Sequence, residues 1–86
     1  MRKFTRIPAI TGKQLIKLLR KDGWVEHRRG RHGVVLKKTV NDRTLVTVVP
    51  TANSPLDDGT LEAILGPKQT KVGKDGLLQL INKYGL

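Results

Sequence analysis

Residues 24–49 hold three short segments that favour extended backbone, and the links between them are too short for anything but hairpins. The clearest segment is 44–49, Thr-Leu-Val-Thr-Val-Val, whose β-branched side chains are stiff at χ1 and fit a pleated surface. Pro50 closes it. Residues 32–39 form the second segment, with Val34, Val35 and Leu36 at its centre, and Asn41-Asp42-Arg43 supplies the turn between the two. Residues 24–29 alternate in character and reach the second segment through Gly30-Arg31. A parallel pairing needs a crossover of roughly a dozen residues, so the three strands are expected to form an antiparallel meander.

Such a sheet must bury one face, and the rest of the chain supplies helices to cover it. Thr11-Gly12-Lys13-Gln14 is a capping box, with Ile10 and Leu15 placed as a hydrophobic staple. Leu15, Ile16, Leu18 and Leu19 follow as an apolar stripe at helical spacing. Lys17, Arg20 and Lys21 place positive charge toward the end of this helix, where its dipole favours cations. Gly23 stops it, and Trp24 is positioned to fold back on Leu19. Asp57 or Asp58 is expected to cap a second helix that carries Leu61, Ile64 and Leu65 and ends at Gly66-Pro67. Asp75 is expected to cap a third, with Leu77, Leu78, Leu80, Ile81 and Tyr84 on its apolar side and Gly85 as its stop. The order is α-β-β-β-α-α, an α+β fold in which a three-stranded antiparallel sheet packs on helices. Residues 1–9 read as a basic tail and residues 10–86 as one domain.

Charge is distributed unevenly over this framework. The 86 residues carry 17 Lys and Arg against 7 Asp and Glu, a formal net charge of +10. Residues 1–50 hold thirteen basic and three acidic residues, while residues 51–86 hold four of each. A lopsided basic field suits a polyanion such as nucleic acid, or an acidic protein partner; a solvated basic surface is the plain alternative. The chain has no cysteine, so disulfides and thiolate metal sites are excluded. The basic start is not followed by an apolar segment and no apolar run is long enough to span a bilayer, so no membrane role is expected and the cytoplasm is the default compartment.

Reactive side chains are few. Two histidines and scattered carboxylates do not make a metal site, and Asp57-Asp58 before an apolar run reads as a helix cap. Gly66 and Gly73 have six residues between them and Lys74 is followed by Asp75, so the phosphate-loop pattern fails and no cofactor is expected. What remains is Arg28-Arg29-Gly30-Arg31-His32-Gly33, with Lys37 and Lys38 further along the same strand. Guanidinium forks suit phosphate oxygens, and histidine exchanges protons near neutral pH. RNA cleavage asks for little more: the 2′-hydroxyl loses a proton, the leaving 5′-oxygen gains one, and charge builds on the phosphorus oxygens. The residues alone leave open a solvated arginine turn and a structural histidine. Phe4, Trp24 and Tyr84 are the only aromatic residues, which argues against a base-stacking platform and for backbone and shape contacts.

At these positions the chain resembles the HicA (YcfA-like) toxins, messenger-RNA interferases of toxin–antitoxin systems. The resemblance rests on Leu-Ile-Lys-Leu-Leu-Arg-Lys-Asp-Gly-Trp (15–24), the Gly-x-His turn at Gly30-Arg31-His32, Val-Val-Pro at 48–50, and Gly-Thr-Leu-Glu-Ala-Ile-Leu at 59–65. It covers residues 10–65, leaving 66–86 as a C-terminal extension. It implies a double-stranded-RNA-binding-like fold, metal-independent RNA cleavage with His32 as the catalytic residue, and neutralisation by a HicB-type antitoxin. Arg28, Arg29 and Arg31, with Lys37 and Lys38, are the expected RNA contacts. His27 receives no role from the resemblance. Arg31 stands where the family commonly has serine. A non-catalytic RNA-binding module of the same fold and a protein-interaction domain are the rival readings.

Overall fold

The computed structural model describes residues 4–31, 33–51 and 54–85. Its elements are α1 (Gly12–Lys21), β1 (Val25–Gly30), β2 (Gly33–Val40), β3 (Arg43–Val49), α2 (Asp58–Leu65) and α3 (Gly73–Tyr84). The strands make one antiparallel sheet in the order β1-β2-β3. The fold class is therefore the expected one.

Local chemistry explains most of the boundaries. The Thr11 hydroxyl accepts the Gln14 amide at 3.2 Å and the Gln14 side chain accepts the Thr11 amide at 2.9 Å, closing the capping box that starts α1. At its other end Gly23 takes a φ of 99°, and the amides of Gly23 and Trp24 donate to Arg20 and Leu19 at 3.2 and 3.0 Å. This is a Schellman closure, and it buries Trp24 beside Leu19. Between β2 and β3, Asn41 and Asp42 both have positive φ, 50° and 66°. Two such residues form the hairpin turn whose twist matches the strands, so Arg43 belongs to β3 and not to the turn.

Asp57 caps α2, its carboxylate accepting the Thr60 amide at 2.6 Å. The expectation for α3 is corrected. Asp75 lies within the first turn, the helix begins two residues earlier at Gly73, and no side chain caps it. The preceding loop sets that start. Buried Thr70 donates its hydroxyl to the Ile64 carbonyl at 2.7 Å and accepts the Val72 amide at 3.2 Å. Asp75 instead places a carboxylate at the positive end of the helix dipole.

One sheet face is covered by the helices. Val34, Leu36 and Val49 join Leu15, Leu18 and Leu19 of α1, Leu61, Ile64 and Leu65 of α2, and Leu77 and Ile81 of α3 in a single core. The family-like core and the extension beyond residue 65 thus share one interior. Phe4 is tied to α3 by Asn82, which accepts its amide at 2.6 Å and donates to its carbonyl at 3.0 Å. The other sheet face is open, with Val25, Val46 and Val48 exposed on it.

Candidate functional site

The β1–β2 hairpin carries most of the expected site residues, and its register decides where each one points. Val25 faces Lys37 and Glu26 faces Leu36, but Arg28 then faces Val35. His27 is the extra residue of a β-bulge. Opposed residues share a face, and Leu36 and Val34 are buried against the helices. Glu26 and Arg29 therefore lie on the helix side, whereas Val25, Arg28, Val35 and Lys37 lie on the open side. Without the bulge these assignments would be inverted from His27 onward, because one residue of slip exchanges the two faces.

The expected contacts are accordingly divided. Arg28 and Lys37 share the open face, where they flank the exposed valines. Arg29 turns toward α1 and forms an ion pair with Glu26 at 2.9 Å. Arg31 is exposed in the turn after Gly30. Lys38 also lies on the helix side, next to buried Leu36 but one pleat beyond it. Its ammonium donates to the Asp22 carbonyl at 2.7 Å and meets the Asp22 carboxylate at 3.3 Å, which fastens the end of α1 to β2. His27 is exposed. His32 lies outside the described residues.

Gly33 was not singled out by its chemistry, yet the hairpin depends on it. Its φ is 143°, and a Cβ placed there would meet the Val49 carbonyl oxygen at 2.5 Å. Only glycine lets β2 begin this close to the end of β3. At the other side of the connection, Gly30 has no such restriction, its nearest neighbour to a new Cβ being the Gly33 carbonyl at 4.0 Å. The sequence signal was present in the glycine that follows His32, but the close approach it permits is made to a residue sixteen positions away.

Shifted titrations fall elsewhere. The Thr60 amide and hydroxyl hold the Asp57 carboxyl below the usual carboxylate range, and the Glu62 carboxylate, at 2.9 Å, raises the Lys74 ammonium. Among the described residues no three histidine or carboxylate side chains converge, and no helix is long and apolar enough to cross a membrane. Among the described residues the hairpin thus offers cations on both faces of one strand pair, Arg28 and Lys37 on the open side and Arg29 on the helix side, groups able to pair with phosphate oxygens.

Comparison with known proteins adds one result. No curated protein and no solved structure matches the chain. A family model, described as the HicA toxin of bacterial toxin–antitoxin systems, matches residues 12–72, from the first residue of α1 to the residue before α3. That span covers well over half of the chain, and the protein belongs to the HicA toxin family.

Proposed function

We propose that the protein is a toxin endoribonuclease that cleaves messenger RNA in the cytoplasm without a metal and is neutralised by a HicB-type antitoxin. The observation that carries this reading is the family match over residues 12–72, which includes the Gly30-Arg31-His32 turn on which the catalytic assignment rests. His32 acts as the general acid or base. The 2′-hydroxyl gives up its proton, the O2′–P bond forms as the P–O5′ bond breaks, and the 5′-oxygen takes a proton as it leaves. The products are a 2′,3′-cyclic phosphate and a 5′-hydroxyl. Arg28, Arg31 and Lys37 hold the phosphates, and Arg29 contributes from the helix side. Lys38, engaged by Asp22, is a weaker candidate for such a contact.

The antitoxin reading is supported by family membership and by the open sheet face, where Val25 is 66% exposed and Arg28 and Lys37 stand among the valines. An apolar surface with cationic flanks suits a protein partner that presents apolar and acidic groups.

Purified protein incubated with messenger RNA in excess EDTA tests the activity. Cleavage to fragments with 5′-hydroxyl ends is expected. Binding without cleavage, with or without added divalent ions, replaces the enzyme by the RNA-binding module.

A further inference from the structure

The outward face of α1 is a separate feature that the hairpin chemistry does not use. The helix contains four cations, Lys13, Lys17, Arg20 and Lys21, and no acid. Lys13, Lys17 and Lys21 recur every fourth residue and so form one ridge, about 12 Å long at 1.5 Å per residue. Arg29 of β1 rises opposite, carried to this side by the bulge at His27. Together these five cations and Ile16 line a surface groove of about 510 Å³.

The helix dipole explains only part of this charge. Arg20 and Lys21 occupy the last turn, where cations are favoured. Lys13 occupies the first turn, where they are disfavoured. The pairs Lys13–Lys17 and Lys17–Lys21 are like charges at i,i+4, which weaken a helix by about 0.2–0.5 kcal/mol each. Among the described residues, Lys13, Lys17 and Arg20 have no carboxylate partner. Lys21 sits over the Tyr84 ring at 5.2 Å, and Lys83 lies at the same distance from it, so that ring is already occupied. The ridge is therefore electrostatically strained by itself, and a polyanion relieves the strain. The groove has no free aromatic face for a base, which leaves the sugar-phosphate backbone as the matching ligand.

We infer that the outward face of α1 forms a second RNA-binding surface, continuous with the hairpin through Arg29, which grips the phosphate backbone independently of sequence and holds the substrate while the β1–β2 hairpin acts on it. Lys13, Lys17 and Arg20 are positioning residues in this account. The inference rests on the proposed RNA substrate but not on cleavage.

The test measures binding of a labelled 2′-O-methyl RNA oligonucleotide, which the 2′-hydroxyl chemistry cannot cleave, in EDTA at several salt concentrations. The variant is Lys13→Gln/Lys17→Gln/Arg20→Gln; Lys68→Gln/Lys71→Gln/Lys74→Gln removes the same charge from the loop before α3 and its first turn. At about 0.7 per contact, the ridge variant should lose about 2 from the slope of log K against log salt. Between 50 and 200 mM salt the parent's affinity should then fall about twentyfold more than the variant's. The melting temperature of the ridge variant should stay the same or rise, because repulsion is removed. Equal losses in both variants would reduce the effect to net charge and overturn the inference. So would a parent that does not bind, or a ridge variant that binds RNA as the parent does but loses an acidic protein partner. Binding lost from the ridge variant while the parent never cleaves natural RNA would sustain the surface and sink the nuclease reading instead.

Discussion

At the scale of single residues, adjacent positions in one strand have opposite duties. Lys37 and Lys38 look equivalent in the sequence, but the pleat sends Lys37 to the open face and Lys38 to the end of α1. Lys38→Gln should cost about 1 kcal/mol in urea unfolding, a value reduced from that of a buried charged hydrogen bond because both partners are partly exposed. Lys37→Gln should leave stability unchanged and take about 0.7 from the salt slope of RNA binding. The two hairpin glycines divide in the same way. Gly33→Ala forces a side chain against the Val49 carbonyl at a φ that side chains rarely adopt, and should destabilise by at least about 1–3 kcal/mol. Gly30→Ala meets no close neighbour and should shift unfolding by no more than about 0.5 kcal/mol. Comparable losses at the two positions would mean that the strand ends do not approach as described.

Among the elements, those closed by local chemistry were legible in the sequence. The Thr11–Gln14 box, the β-branched run of β3 and the turn after β2 each act within a few residues, and each appears where the pattern placed it except that Arg43, read as part of the turn, opens β3. The bulge at His27 was not legible, because it belongs to a pair of strands and not to either one. It decides that Arg28 and Arg29 face opposite sides, so the arginine cluster read from the chain becomes two surfaces in space. The role of Lys38 was hidden for a similar reason, its partner Asp22 being sixteen residues away. The start of α3 was misplaced because Thr70, and no capping side chain, sets it. The cap of α2 carries a pH signature. Asp57 titrates lower in the folded chain than its ordinary value of about 3.9, so its contribution is complete above that value and is lost as the pH falls through the lowered one. Asp57→Asn, which still accepts the Thr60 amide, should flatten this acid-side loss in a plot of melting temperature against pH. A loss of equal steepness in the variant would place the titration elsewhere.

For the whole molecule, the excess charge and the fold divide along the same line. The basic half contains α1 and the sheet, while residues 51–86 are balanced in charge and their helices α2 and α3 serve mainly to cover the sheet. If three to five hairpin cations contact phosphates, log K for single-stranded RNA should fall with log salt at a slope of about −2 to −3.5, steepened further by the α1 ridge. Binding indifferent to salt would remove the electrostatic argument at both surfaces. The account stands most directly on His32, and His32→Ala tests it, with His27→Ala as control and circular dichroism or NMR to establish that both variants fold. His32→Ala should bind 2′-O-methyl RNA like the parent and cleave natural RNA slower by about 10²–10⁴, the usual worth of one acid–base group, while His27→Ala keeps at least about a tenth of the activity. A folded His32→Ala variant that cleaves RNA at the parent rate would contradict the account.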